Sequence, residues 1–274
     1  MKRTFEMYRN VGYRFVTGFL EPGNLPVLEI LDAAQRARQV TGAVAEIGVH
    51  HGRLFIPLHL LQRGTGTSVA IDLFGDQALN IDKSGNGNLD KFTENVELWS
   101  SMDGVVLHQG DSTQLTPEVL LAKAGGPIRF FSVDGGHTEE IVFSDMKLAE
   151  ATLAPGGIVI ADDVFNQQWP GVAVGTLKYL DDGATLVPFA IGFNKTLFTH
   201  PDYADFYRSE LSAGVRDNVR LQSEGTVFAG HPVEYVAPQT AVDVLRKSQT
   251  ARSIYHGTYN GMVRGLNLVS GKGK

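Results

Sequence analysis

At about 150 residues per domain, a chain of 274 residues holds one or two domains and can bury a sizeable core. With 43% hydrophobic and 20% charged residues, and only 31 Gly and 11 Pro, it is neither collagen-like nor disordered. A formal charge of -6 repels a phosphate backbone and argues against nucleic acid as a partner, and the absence of cysteine excludes disulfides, Cys-ligated zinc, iron–sulfur clusters and thiol catalysis.

Taken in chain order, Met1-Lys2-Arg3 opens with positive charge but leads into no apolar run of signal-peptide length. No stretch reaches the ~18–20 apolar residues that span a bilayer. A cytoplasmic protein with no membrane partner is the expectation. Residues 1–40 read as a helical N-terminal cap, with Leu28, Ile30, Leu31 and Ala34 ahead of the first strand.

Over residues 41–200, β-rich runs alternate with helical patterns, the signature of a parallel sheet covered by helices on both faces. The runs are Ala43–Gly48, Ser68–Leu73, Val105–Gln109, Ile128–Asp134 and Gly157–Asp162. Helices are predicted near Leu54–Gln62, Leu89–Ser100, Pro117–Lys123, Thr138–Leu153 and Val172–Leu180. In Thr138–Leu153, Ile141, Val142, Met146, Ala149 and Leu153 recur at three- and four-residue steps, which makes one buried stripe. Pro155-Gly156-Gly157 then turns the chain into the fifth strand. Thr185–Ile191 and Lys195–Phe198 are too close together for a helical crossover and read as an antiparallel hairpin at the sheet edge.

Residues 201–274 form a C-terminal extension. It holds a predicted helix Tyr203–Leu211, short strands at Val227-Phe228 and Val233–Val236, a helix Ala241–Ser248 and a frayed end Ser270–Lys274. Together with the loop Gly75–Asn88, it is expected to cover the site. Apolar residues in the terminal extensions suit a homodimer contact.

Ligands of open parallel sheets bind at the carboxyl ends of the strands, and here those ends are acidic. The first ends in Glu46-Ile47-Gly48-Val49-His50-His51-Gly52, an E-x-G-x-x-x-G spacing that differs from the G-x-G-x-x-G of dinucleotide folds. Its glycines serve either a tight turn or a close approach of backbone to ligand. Asp72, ending the second strand, suits the two hydroxyls of a ribose; Asp111, followed by Ser112, suits an adenine amino group or a local turn. Acids at three successive strand ends point to a nucleoside site.

The fourth strand ends in Asp134-Gly135-Gly136-His137 and the fifth in Asp162-Asp163. Three carboxylates at one lip of the sheet repel one another unless a cation lies between them. An all-oxygen set suits Mg²⁺, with Mn²⁺ or Ca²⁺ as alternatives. His137, at the start of the next helix, is expected to be held neutral by the positive helix end and to act as a base. His50 and His51 are candidates for the acceptor pocket, as are the aromatic residues Phe165, Trp169, Tyr179 and Tyr203.

Over about residues 43–199 this ordered set resembles the class I S-adenosylmethionine-dependent methyltransferases. The resemblance implies a Rossmann-like seven-stranded sheet of order 3-2-1-4-5-7-6 with the seventh strand antiparallel. It places Glu46, Gly48 and Gly52 at the methionine end of S-adenosylmethionine, Asp72 at the ribose, and Asp111 with Ser112 at the adenine. Asp134, His137, Asp162 and Asp163 resemble the metal-dependent small-molecule O-methyltransferases, nearest to the macrolide-sugar O-methyltransferase and cephalosporin-hydroxylase-like group. Asp134, Asp162 and Asp163 would then hold a divalent cation and His137 would be the catalytic base. The partner would be a small-molecule hydroxyl acceptor, a sugar or glycosylated natural product. Two rivals remain from the sequence: a nicotinamide-dependent oxidoreductase and a non-catalytic accessory protein that binds nucleoside or metal.

Overall fold

The structure, a computed structural model, describes residues 3–240. The helix predicted at Ala241–Ser248 and the end Ser270–Lys274 lie outside the described residues.

The strands are β1 (Ala43–Ile47), β2 (Ser68–Asp72), β3 (Val105–Gln109), β4 (Ile128–Val133), β5 (Leu153–Asp162), β6 (Val187–Gly192), β7 (Lys195–Thr199), β8 (Leu221–Phe228) and β9 (His231–Pro238). They form one sheet of order β3-β2-β1-β4-β5-β7-β6-β9-β8. β1 to β5 run parallel, and β7 is antiparallel to both β5 and β6. The first seven strands therefore take the expected order.

Among the described residues, however, the sheet has nine strands rather than seven. The hairpin β6–β7 is not its edge: β9 pairs parallel to β6, and β8 pairs antiparallel to β9. β5 begins at Leu153, four residues earlier than expected, because Ile128 pairs with Leu153 and Phe130 with Ile158. Pro155-Gly156-Gly157 is thus absorbed as a register shift inside the strand.

Helices cover both faces. On one lie α1 (Phe5–Asn10), α2 (Asn24–Ala37), α3 (Phe55–Leu61), α4 (Leu89–Trp99) and α8 (Pro201–Arg216); on the other lie α5 (Pro117–Ala124), α6 (Glu139–Thr152) and α7 (Pro170–Asp181). No helix among the described residues is long and apolar enough to cross a membrane.

Strand alternation divides β1 between the two cores: Val44 packs under the α2 face, and Ala43, Ala45 and Ile47 pack under the α6 face. Glu46 shares parity with Val44, so it is carried beneath the N-terminal helices. At the far end of the sheet Arg129 on β4 fixes α2 in place, donating to Asp32 Oδ1 at 3.0 Å and to Gln35 Oε1 at 2.8 Å. The N-terminal cap is anchored at one end of the sheet and free to form a wall at the other.

Candidate active site

At the carboxyl ends of β1, β2, β4 and β5, and the start of β7, lies a cavity of about 730 Å³, within the size range of small-molecule sites. Glu46, Gly48, Asp72, Asp111, Ser112, Asp134, His137, Asp162 and Asp163 all line it. Gly52 does not; at φ +87° it turns the chain into α3, its α-carbon facing Phe92.

The side expected to take a nucleoside is built by backbone geometry. Gly48 sits at φ +82°, and a Cβ there would lie 1.7 Å from the Asp134 carbonyl oxygen, so only glycine lets the ends of β1 and β4 close together. That closeness is needed between strands, before any ligand arrives. Beyond it, the His50 N–H donates to Asp72 Oδ2 at 2.7 Å and the Phe74 N–H to Asp72 Oδ1 at 2.5 Å. Burial nevertheless holds the Asp72 carboxyl above its ordinary pKa. Asp111 spends Oδ1 on the N–H and hydroxyl of Thr113, at 2.9 and 2.8 Å, and so caps the short turn Ser112–Gln114. Glu46 differs from both. It is buried, its Oε2 has no hydrogen-bond partner, and burial pushes its pKa up to about 8 against the pull of Lys195.

On the other side the structure gives the three predicted metal ligands different partners. Oxygen and nitrogen atoms of Asp134, His137 and Asp163 lie within 4.8 Å of one another. Asp162 instead receives Lys195 Nζ, and Asn194 Nδ2 at 3.2 Å. Lys195, buried at the start of β7, also lies 3.8 Å from Asp134 Oδ2. Burial disfavours its charge, but Asp162, Asp134 and Glu46 more than offset this and hold its pKa above the ordinary lysine range. Removal from water and the nearby Asp162 carboxylate raise Asp134, with Lys195 opposing. The repulsion expected among these acids is therefore met in part by the protein's own cation.

Consecutive strand residues face opposite ways, yet Asp162 and Asp163 both line the cavity. Asp163 manages this by leaving the strand at φ +60°. There its Oδ1 receives Asn166 Nδ2 at 2.8 Å and Asn194 Nδ2. Against the cost of burial, the hydrogen bonds from His137, Asn166 and Asn194 hold its pKa down at about 2.

His137 is not the neutral base at a helix end that the sequence predicts. Thr138 is the N-cap of α6, so His137 precedes the helix, and two carboxylates decide its charge. Its Nδ1 faces Asp82 Oδ2 at 2.8 Å and its Nε2 faces Asp163 Oδ2 at 3.2 Å. Burial works against the imidazolium, but these bonds outweigh it and raise the pKa above 6.5. Trp169 stacks on the ring, with centroids 4.2 Å apart and planes at 26°.

The walls also differ from expectation. The loop between β2 and α4 does line the cavity, through Leu79, Asn80, Ile81, Asp82 and Ser84. The tail does not: among the described residues no cavity-lining residue follows Lys195, and Gly18–Pro22 with Asn24 supply the opposite wall. Among the described residues of the tail, Phe228 packs on Phe165 outside the cavity lining, centroids 5.2 Å apart. Of the aromatic candidates Trp169 lines the cavity, while Tyr179 is wholly buried and Tyr203 packs on Tyr207. His50 lines the cavity; His51, stacked on it at 3.8 Å, faces a smaller adjoining hollow. Lys195, Asn194, Asn166 and Asp82 are the site residues that sequence reasoning missed.

Residues 45–164 match a protein-family model described as a methyltransferase domain. None of the curated proteins matches the sequence. Among solved structures the chain is similar in fold to the O-methyltransferase NovP, with 17% identity over 64% of this chain and 78% of that one and a TM-score of 0.52. It is also similar to CalS11, a TDP-rhamnose 3'-O-methyltransferase of calicheamicin biosynthesis, with 20% identity, 71% and 86% coverage and a TM-score of 0.49. A third similar structure is MycE, a methyltransferase of the mycinamycin pathway solved with Mg and SAH, with 19% identity, 73% and 55% coverage and a TM-score of 0.44.

Proposed function

We propose that this chain, which carries a methyltransferase domain over residues 45–164, is an S-adenosylmethionine- and divalent-cation-dependent O-methyltransferase acting on a small-molecule hydroxyl. One observation carries the reading. A single cavity brings the unpartnered, buried Glu46 Oε2 together with the convergent Asp134, His137 and Asp163.

The residues fit both groups. A buried carboxylate oxygen without a donor is a site for a cationic hydrogen-bond donor, and the α-ammonium of S-adenosylmethionine is one. Asp72 and Asp111, at the ends of β2 and β3, lie where a ribose and an adenine would follow, with Ser112 beside them. The carboxylates of Asp134 and Asp163 make an oxygen donor pair suited to Mg²⁺ or Mn²⁺, with the His137 ring beside them and free to take a proton. Asp162 lines the same cavity with its charge already met by Lys195.

A divalent cation, when bound, supplies polarisation that lowers the pKa of the acceptor hydroxyl. The chain's residues do the rest. S-adenosylmethionine, held by Glu46, Asp72 and Asp111, would supply the methyl group for in-line transfer to the acceptor oxygen and leave as S-adenosylhomocysteine. His137 Nε2 would take the hydroxyl proton. Trp169 and Asp82 fix the plane of the ring.

The mouth narrows the acceptor. Phe19, Ile81 and Leu79 line it, yet are 84%, 74% and 47% exposed. A polar floor under an apolar rim suits a hydroxylated head on an apolar body, a glycosylated natural product before a free sugar.

The test is titration calorimetry of the metal-stripped chain with S-adenosylmethionine, with and without Mg²⁺ and with NAD⁺ as control. The expected result is saturable binding of S-adenosylmethionine and none of NAD⁺; binding of NAD⁺ alone overturns the reading. Glu46→Gln should weaken S-adenosylmethionine roughly 10- to 100-fold, the worth of one charged hydrogen bond at about 1.5–3 kcal/mol. Unchanged affinity would remove Glu46 from the site. Acceptors are then screened among hexoses, aryl glycosides and catechol, with S-adenosylhomocysteine release as the signal.

A further inference from the structure

The loop between β2 and α4 does more than wall the cavity. Asp82 divides its carboxylate between two tasks. Oδ1 accepts the N–H and hydroxyl of Ser84, at 2.9 and 2.6 Å, and shapes the loop itself; Asn80 Nδ2 closes the same turn on the Ser84 carbonyl at 2.7 Å. Oδ2 is left wholly to His137, accepting its backbone N–H at 2.5 Å and facing its ring Nδ1 at 2.8 Å. A bond to the backbone N–H alone would be enough to staple the loop. The second bond reaches the ring, 55 residues away in sequence.

Both carboxylates only accept, so the imidazolium donates from both nitrogens, to Asp82 at 2.8 Å and to Asp163 at 3.2 Å. The neutral ring keeps the proton of the closer pair, on Nδ1, and has its lone pair on Nε2, toward the cavity. Trp169 closes one ring face. With one edge on Asp82 and one face on the indole, the ring can neither flip nor swing away.

We propose that Asp82 is the positioning residue for His137: the loop that walls the acceptor cavity carries the group that sets the tautomer and direction of the base. The inference rests on reading His137 as the base.

The experiment uses the full chain labelled with ¹⁵N-histidine, as wild type, Asp82→Ala and Asp82→Asn, with His137→Gln to assign the His137 signals. Long-range nitrogen–proton spectra, read above the imidazole titration, report which ring nitrogen holds the proton and need neither cofactor nor acceptor. The wild type should show Nδ1–H. Asp82→Ala should lose that preference and lower turnover of the best acceptor in the panel roughly 10–100-fold, with the KM for S-adenosylmethionine unchanged. Asp82→Asn, which keeps an accepting oxygen, should recover part of both. An Asp82→Ala protein whose His137 stays protonated on Nδ1, even with faster hydrogen exchange over residues 73–88, makes Asp82 a loop staple only and overturns the proposal. Failure of the wild type to bind S-adenosylmethionine would remove the methyl-transfer reading, and the nitrogen spectrum would still decide what Asp82 does to the ring.

Discussion

His137→Ala should lower turnover by roughly 10²–10⁴-fold, the usual contribution of a positioned base, while leaving S-adenosylmethionine affinity intact. The separation follows from the geometry. His137 meets Asp82, Asp163 and Trp169, and none of these takes part in the hydrogen bonds of Asp72. His137→Gln is the sharper variant, because it keeps a polar group toward Asp82 but cannot take a proton. Turnover at the wild-type level in both variants would end the role of His137 as base.

The pH profile carries a sign of its own. A base works unprotonated, so turnover must rise with pH through its pKa. Asp82 and Asp163 favour the imidazolium and place that midpoint above 6.5; a ring governed by the helix end would have placed it below. Positive charge bound at Asp134 and Asp163 disfavours the imidazolium, so the profile should move to lower pH as Mg²⁺ is raised. A midpoint indifferent to Mg²⁺ would separate the base from the cation site.

What could be read from the sequence divides along physical lines. β1 to β5 are short apolar runs bounded by turn residues, and the acids that close them mark the carboxyl edge whatever the details of packing. Most of the nucleoside side follows from this, because Asp72 and Asp111 need only their place at a strand end. Of β8 the sequence shows only the end, Val227-Phe228, because Gln222, Ser223, Glu224, Gly225 and Thr226 show no alternation of apolar and polar residues, most of that strand being exposed on both faces. Asp82 escaped because a loop residue has no periodicity, and its partner lies beyond two further strands in the chain. Lys195 is the instructive case. It opens a β-rich run, and only the antiparallel pairing of β7 with β5 sets it opposite Asp162. From the acids alone, a bound metal and a lysine are equally good answers to their repulsion, and the structure contains the lysine.

Lys195→Met should therefore cost about 3–5 kcal/mol, the penalty for breaking a buried ion pair from one side. At roughly 2–4 °C per kcal/mol, Tm should fall by roughly 6–20 °C. The methylene stem is kept in shape by methionine, so the loss falls on charge: Asp162, Asp134 and Glu46 would share one buried region without their ammonium. Asp134 and Glu46 would be raised further, and a carboxyl raised above its unfolded pKa destabilises the fold once pH exceeds the unfolded value. The gap between variant and wild type should thus be small in acid and widen toward neutral pH. Two additions settle who the partners are. Lys195→Met with Asp162→Asn removes both halves of the pair and should recover most of the lost stability; no recovery would mean that Asp162 is not the lysine's main partner. Mg²⁺ should raise the Tm of Lys195→Met more than that of the wild type, since a cation that binds only the folded state adds RT ln(1 + [L]/Kd) and the variant has one more carboxylate free to bind it. An equal Mg²⁺ effect in both proteins would confine the cation to Asp134 and Asp163, and leave Asp162 to the lysine alone.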